Sequence, residues 1–378
     1  MKKLYAIKLL KYIRKSSNRY SGGTMKILYI NYVDFNNVSS GSSVRPKKIY
    51  ESFKSLGYEV TMLTGIQNKR KERWKNTWNF FKKIRKNQYD LCYVESPSGP
   101  IFNFCDHLIL FYISKVKKVP IGFFYRDAYW KFGELGDISA IKKFVINLMH
   151  RFDWLVFKMT CDKMYFPSET MAELFKFKNK EAFPPGSTVL CNEIKEFKNF
   201  NNCIYVGGVS ERYGTEILLK AFDLVNNKYN KKVNLTLICR QEIDIIKKYK
   251  SSSWLNINTG ISGDEMLKPF YERADLAIIP FKRDIYMDFA IPIKLFEYLA
   301  NQMPIVATDC IELSKFIKNN NIGIVTEDNP ESLAQGIIKF YGLKEEEKNN
   351  LYKNLNRTIS MNTWRERGKK VTELVNYK

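Results

Sequence analysis

The sequence predicts an α/β protein made of two doubly wound units in tandem, on three observations. Short apolar runs rich in β-branched and aromatic residues alternate with stretches of helical periodicity. That alternation halts in the polar stretch Asn192–Asn202 and restarts at Cys203. Glycines and prolines punctuate the junctions, as at Gly57, Gly207-Gly208 and Pro280. Strand, helix, strand, helix implies parallel sheets covered on both faces, with ligands held beyond the carboxyl ends of the strands.

The first 24 residues place Leu4, Ile7, Leu10 and Ile13 among lysines and read as a short basic extension, broken at Ser21-Gly22-Gly23. Its charges run throughout and no small-residue cleavage site follows an apolar core, so it is not read as a secretion signal. From Met25 the expected strands are Lys26–Tyr32, Glu59–Leu63, Leu91–Val94, Ile121–Tyr125, Met164–Phe166 and Val189–Leu190. A small-residue loop, Ser39–Ser43, and a helix, Arg45–Leu56, follow the first strand. After the linker, strands at Cys203–Val206, Leu235–Cys239, Leu255–Asn258, Leu276–Ile279, Ile305–Ala307 and Gly323–Val325 alternate with helices at Thr215–Tyr229, Asp264–Glu272, Pro292–Ala300 and Ser332–Tyr341. The expected division is a basic extension over 1–24, an N-terminal domain over 25–195, a C-terminal domain over 196–355, and a C-terminal helix over 356–378 that returns to the N-terminal domain.

Composition narrows the function classes. At 378 residues, 45% hydrophobic and 15% aromatic, the chain can bury two cores and is not disordered. Its formal charge is +23, and residues 1–100 hold 21 Lys and Arg against 6 Asp and Glu. Such a balance calls for an anionic partner: nucleic acid, an acidic lipid surface or phosphorylated small molecules. Part of the excess also reads as solvated lysine faces. The 7 cysteines show no CxxC spacing and read as buried free thiols of a reducing cytosol, and 2 histidines leave no zinc spacing. The apolar run Ile101–Val116 is broken by Asn103, Asp106 and His107, so no membrane span is expected.

Two motifs carry chemistry. In the first, Tyr205-Val206 runs into Gly207-Gly208, then Arg212-Tyr213-Gly214 and a helix. Backbone N–H groups and the helix dipole there suit a phosphate, and Arg212 offers a fork for its oxygens. In the second, Pro292 opens a helix on which Lys294 and Glu297 lie three apart. A carboxylate in that turn can accept two ribose hydroxyl bonds, each worth about 1.5–3 kcal/mol. The same spacing also suits a surface ion pair worth at most about 1 kcal/mol.

Taken in order, these motifs resemble the GT-B glycosyltransferases, and specifically the retaining family 4 (glycosyl transferases group 1). The resemblance rests on Gly207-Gly208-Val209 with Gly214, Leu218-Leu219 and Ala221-Phe222. It rests also on Ala274-Asp275-Leu276-Ala277-Ile278-Ile279-Pro280, and on Pro292 through Ala300 followed by Pro304-Ile305-Val306. It spans roughly residues 25–375 and is more specific in the C-terminal half. It implies the GT-B architecture, two Rossmann-like domains facing across a cleft. It implies transfer of a hexose from a nucleoside diphosphate donor, UDP by family frequency, with retained configuration, no cofactor and no metal.

Residue by residue, Glu297 matches the second glutamate of the family's pair, which holds the donor ribose, and is the first catalytic candidate. Gly207 and Gly208 match the turn beneath the diphosphate. Arg212, Lys282 and Lys294 stand in for the family's cations, since Gly208 and Tyr213 occupy their usual places. The backbone of Ala290–Ile293, including Ile291, Pro292 and Ile293, would contact the donor. Gly41, in Ser39–Ser43, matches the loop facing the donor phosphates. Asp127, after the strand Ile121–Tyr125, is the second catalytic candidate, although an N-cap or a salt bridge with Arg126 fits it equally. The first glutamate of the pair should lie at Phe289, with Asp288 beside it. That departure keeps open a non-catalytic partner subunit of the same fold.

The segment Lys69–Lys86 holds nine basic residues and one acid, with Trp74, Trp78, Phe81 and Ile84 at helical spacing. Such a helix suits an anionic membrane surface, or else packs on the sheet with its lysines in water. Together these readings predict a cytoplasmic transferase, peripheral at the inner face of the cell membrane, acting on a lipid-linked or surface-polysaccharide acceptor. No nucleic-acid partner is expected, and charge alone supports a polyanion-binding module only weakly.

Overall fold

The computed structural model describes residues 24–35, 41–133, 136, 138–188 and 200–377. Nearly all of the predicted basic extension, the predicted strand Val189–Leu190 and most of the Asn192–Asn202 linker lie outside the described residues.

The first domain runs β1 (Lys26–Ile30), α1 (Gly41–Ser55), β2 (Glu59–Leu63), α2 (Arg70–Ile84), β3 (Leu91–Glu95), α3 (Phe104–Phe111), β4 (Ile121–Phe124), α4 (Ala140–Thr160), β5 (Lys163–Phe166), α5 (Glu169–Glu173) and β6 (Lys180–Ala182). A π-helical turn over Tyr112–Val116 extends α3. The six strands pair in parallel in the order β2-β1-β3-β4-β5-β6. The loop expected at Ser39–Ser43 is in part helix: Gly41 opens α1, ahead of the predicted start at Arg45.

The second domain runs β7 (Asn202–Val206), α6 (Thr215–Asp223), β8 (Asn234–Cys239), α7 (Asp244–Lys248), β9 (Leu255–Thr259), α8 (Asp264–Glu272), β10 (Leu276–Ile279), α9 (Ile285–Phe289), α10 (Ile293–Ala300), β11 (Ile305–Thr308), α11 (Ile311–Asn320), β12 (Gly323–Thr326), α12 (Pro330–Tyr341) and α13 (Glu345–Met361). Its parallel sheet is ordered β12-β11-β10-β7-β8-β9. The winding reverses between β7 and β10, and a crevice opens at such a point because the crossover helices leave it in opposite directions.

The central strands of each sheet are buried on both faces, which is why they read as continuous apolar runs. One face of the first sheet packs under α2, α3 and α4 through residues such as Ile84, Ile109 and Phe157. The other face, with Ile27 and Tyr29, packs with Phe53 of α1 and receives Trp364 and Val371 of the last helix, α14 (Trp364–Val371), and Leu374 beyond it. The chain therefore crosses back at Thr363, where Trp364 N–H donates to the Ser187 carbonyl at 3.0 Å. Helix α13 stays with the second domain, burying Tyr352, Leu355 and Ile359 there. Each large apolar side chain so buried stabilises by about 1.5–3 kcal/mol.

Helix α2 shows how a basic segment acquires an inner face. Arg73 is fully buried and bonds Asp106 of α3 at 2.9 Å through Nε and the Asn31 carbonyl at 2.8 Å. Thr77, Phe80 and Ile84 complete that face. Ile84 thus belongs to the core, while Trp74 and Trp78 point outward at 51% and 57% exposure, so the four expected apolar positions divide between two faces.

Candidate active site

The carboxyl ends of the two sheets meet across a cleft. A cavity of about 210 Å³ lies there, lined from the first domain by Arg45, Phe124, Arg126 and Asp127 and from the second by Tyr286, Phe289, Ala290, Ile291 and Ile293. Its second wall is the turn from α9 into α10. Asp284 caps α9 by accepting from Met287 N–H at 2.7 Å, and Ala290 then leaves the helix in extended conformation. Pro292, the predicted first helical residue, is instead the N-cap of α10, which begins one place later at Ile293. The free N–H groups of that helix start, and its positive dipole end, lie beside the cavity.

The glycine turn has a local physical cause. Gly207 sits at φ 150°, and a Cβ there would stand 2.4 Å from Lys294 Nζ. Its N–H donates to the Ile238 carbonyl at 2.9 Å, which extends the sheet ladder and leaves no amide at Gly207 for a phosphate. Gly214 sits at φ 66°, where a Cβ would come within 1.5 Å of the Pro280 carbonyl oxygen. Only glycine allows α6 to start this close to the end of β10. Gly208 is covered by the Tyr213 ring, which stands where the family pattern has a lysine.

Lys294 reaches from α10 to the underside of this turn. Its Nζ donates to the Tyr205 hydroxyl at 3.2 Å and lies 4.2 Å from that ring's centroid, with Phe281 at 5.1 Å and Tyr213 at 5.6 Å. Burial among these rings lowers its pKa to about 7, against the opposing pull of Glu297. Tyr205 in turn donates to the Gly208 carbonyl at 2.5 Å. An ammonium with a lowered pKa in an aromatic cage, one turn from a carboxylate, is a poor surface ion pair and a responsive anion receptor. On Glu297 burial is the largest influence and raises its pKa; Asp264 raises it further, while Lys294 and Lys48 oppose. Lys48 of α1 also lies 3.9 Å from Asp264, so the helix that Gly41 opens faces this carboxylate across the cleft.

Asp127 closes the cleft from the other side. Its Oδ1 accepts from the Tyr286 hydroxyl at 3.1 Å, and the Tyr286 ring stacks on Tyr129 with centroids 4.1 Å apart. Burial raises the Asp127 pKa, with Arg126, Tyr286 and Ser98 opposing. The floor of the first domain's half is Arg45, clamped between Phe124 at 3.6 Å and Phe183 at 4.9 Å and bonded to Glu95 at 3.1 Å. Arg45, Glu95, Tyr129 and Tyr286 were not legible as site residues, because a lone Arg or Tyr in a helix pattern carries no spacing signal.

Two of the expected cations turn elsewhere. Arg212 pairs with Asp284 at 2.9 Å and lies 5.4 Å over the Tyr286 ring, at the cleft edge. Lys282 is exposed and pairs with exposed Glu211 at 2.5 Å, away from the cavity lining. Phe289, at the place of the family's first glutamate, is 3% exposed and packs with the first domain's core, stacked on Phe132 at 5.8 Å. Ser168 donates to its carbonyl at 2.6 Å. Asp288 does not take over that place: it forks onto Arg283 at 3.1 Å and caps α11 by accepting from Ile311 N–H at 3.1 Å. Both histidines are buried, His107 against Asp153 at 2.7 Å and His150 with its pKa lowered to about 4 by burial. Among the described residues no three His, Cys, Asp or Glu side chains gather as a metal site, and the six described cysteines are buried and free.

Two doubly wound domains, the second carrying a glycine turn and a half-buried Lys–Glu pair at its switch point, have the fold of the GT-B glycosyltransferases. Residues 201–342 match the family model of the glycosyl transferases group 1. Over 102 residues, 27% of this chain, the sequence is 30% identical to TuaH of Bacillus subtilis (strain 168), named as a teichuronic acid biosynthesis glycosyltransferase; the match spans 25% of that relative's length. Among solved structures, a glycosyltransferase from Rickettsia africae superposes with TM-score 0.65 and 13% identity, over 94% of this chain and 99% of that one. Anabaena HepE in complex with UDP superposes with TM-score 0.64 and 11% identity, over 94% and 100%. Sucrose-phosphate synthase from Thermosynechococcus elongatus gives TM-score 0.63 and 13% identity, over 93% and 98%. Among the described residues no helix is long and apolar enough to cross a membrane.

Proposed function

We propose that the protein is a glycosyltransferase that moves a hexose from a nucleoside diphosphate donor, UDP in the first instance, to a lipid-linked or cell-surface polysaccharide acceptor at an anionic membrane surface, with retained configuration. The observation that carries this reading is Lys294, caged among the Tyr205, Phe281 and Tyr213 rings beneath the glycine turn, with its ammonium held by the Tyr205 hydroxyl at 3.2 Å. A diphosphate beside it would favour the full ammonium, and the diphosphate's negative charge grows as its bond to the sugar breaks. The N-terminus of α10 adds partial positive charge at the same place. These groups supply what a divalent ion would, so we infer a metal-independent reaction.

We assign Glu297 to the donor ribose, as its half-buried carboxylate gains from accepting hydroxyl hydrogen bonds. Asp127 is assigned to the acceptor side or the transferred sugar. Its bond to Tyr286 ties it to the donor wall, and its raised pKa suits a group that takes a hydroxyl proton. The acceptor class rests on the likeness to TuaH, and the UDP donor on the likeness to HepE in complex with UDP.

A second reading has its own observation. Phe289 fills the place of a carboxylate and belongs to the other domain's core, which fits a non-catalytic partner subunit. A thermal-shift panel of nucleotide sugars, followed by radiolabelled transfer to membrane extracts, separates the two. Stabilisation by a UDP-sugar, and transfer abolished in Glu297→Ala at unchanged melting temperature, support the enzyme. Binding without transfer or hydrolysis by the purified protein supports the partner subunit, and absence of any nucleotide binding sinks both.

A further inference from the structure

We propose that the outer face of α4 is the surface by which the protein lies on an anionic lipid bilayer, with α2 and α3 at its margin. The inference rests on the proposed membrane contact and not on the transfer chemistry.

The second half of α4 is fixed to the domain by His150, Asp153, Trp154, Val156, Phe157 and Thr160, all buried. The first half buries nothing before His150. There Ile141, Phe144, Val145 and Leu148 are exposed at 77%, 68%, 46% and 54%, and Phe152, Leu155 and Met159 continue the row at 37%, 55% and 40%. At the helical repeat these seven positions fall within roughly 100° of arc, a single stripe along the whole helix. Scattered exposed apolar residues are normal, but a continuous stripe on one helix is not.

The stripe is continued sideways. Phe104 and Leu108 of α3 are 57% and 64% exposed, and the Phe104 ring meets Phe152 at 5.9 Å. On α2, Trp78 stacks on Phe81, which meets Tyr112 at 4.8 Å beside α3. The charges decide what covers this face. On α4, Lys142 lies on one flank of the stripe, Arg151 and Lys158 on the other, and the single acid, Asp153, is buried against His107. On α3 the acid Asp106 is buried against Arg73, whereas Lys115 of its extension and Lys118 just beyond it are exposed. Glu72 is the only acid left exposed across α2, α3 and α4. An apolar stripe with cations on both flanks fits acyl chains below and anionic headgroups at the sides, with the lysine and arginine stems lying along the stripe. A protein partner with an acidic rim would need fixed geometry, whereas a bilayer needs only this pattern.

The placement relates to the cleft. Helix α4 runs back from the carboxyl end of β4 to the start of β5, so its free first half lies at the cleft end of the sheet. An acceptor held by a lipid anchor would then approach Asp127 along the bilayer surface.

The test uses the full chain and sucrose-loaded vesicles of phosphatidylcholine with and without phosphatidylglycerol. The wild type should sediment with phosphatidylglycerol vesicles. Phe144→Ser combined with Leu148→Ser should lower the partition coefficient by at least about 100-fold, since two large side chains are withdrawn from the apolar phase. Both residues are exposed, so melting temperature and UDP-induced stabilisation should not change. Lys142→Glu combined with Arg151→Glu should remove the preference for phosphatidylglycerol. Unchanged vesicle binding in the serine variant overturns the proposal. So does a concentration-dependent dimer of the wild type that the serine variant abolishes, because a second copy would then cover the face. Vesicle binding without UDP binding leaves this inference standing and removes the transferase reading instead.

Discussion

Lys294→Met separates a residue kept for function from one kept for stability. At neutral pH the fold holds the ammonium of Lys294 in an aromatic cage, and burial lowers its pKa from 10.5 to about 7. At about 1.36 kcal/mol per pH unit, that corresponds to a destabilisation of about 2–5 kcal/mol, once partial relaxation of the cage is allowed for. The sign follows from proton binding. Between pH 7 and 10.5 the unfolded chain binds the proton that the folded chain releases, so the cost is full below pH 7 and fades as pH approaches 10.5. Methionine is of similar length, carries no charge and packs well against aromatic rings. Tyr205 keeps its bond to the Gly208 carbonyl after the substitution, so no buried hydroxyl is orphaned. The melting temperature of Lys294→Met should therefore rise by several degrees at pH 7 and by little at pH 10. UDP affinity should move the other way. One charged hydrogen bond to phosphate is worth about 1.5–3 kcal/mol, a loss of roughly 10–150-fold. In the wild type, bound diphosphate raises the lysine's pKa, so UDP affinity should fall as pH climbs from 7 to 9 while the variant stays flat. Calorimetric titration with UDP and scanning calorimetry across pH read both effects. A lower melting temperature together with unchanged UDP affinity would refute the reasoning and make Lys294 a structural residue.

Two further substitutions probe the frame around it. Gly214→Ala must hold alanine at φ 66° with its Cβ 1.5 Å from the Pro280 carbonyl oxygen, so β10 and α6 must separate; a loss of about 3 kcal/mol or more in urea unfolding is expected, and a loss below 1 kcal/mol would contradict it. Asp288→Ala should cost about 1–2 kcal/mol by freeing the first turn of α11 and leaving Arg283 with fewer partners, with UDP affinity unchanged, because this acid serves the helix and not the cleft.

Much of the fold is legible because strand and helix leave different periods in the sequence. The central parallel strands are apolar and are located within a residue or two, whereas the short edge strand β6, Lys180-Glu181-Ala182, leaves no such signal. The small-residue start of α1 was harder, since Gly41-Ser42-Ser43 has poor helix propensity and yet lies within the helix. Helix α4 escapes a simple amphipathic reading because it is apolar on two faces, one packed inward at Trp154 and Phe157, the other outward at Phe144 and Leu148.

The sequence by itself determined the doubly wound architecture, the glycine turn at Gly207, and Lys294 and Glu297 as neighbours on one helix. Those features are local: strand period, obligatory glycines and helical spacing are fixed within a dozen residues. Only the tertiary structure decided which charges serve the cleft. It turned Lys282 to solvent, gave Arg212 to Asp284 and Asp288 to the start of α11, and brought Arg45, Asp127 and Tyr286 together from distant parts of the chain. The reason is physical. A charge acquires its role from burial and from the partners within a few ångströms, and both depend on which elements meet in space.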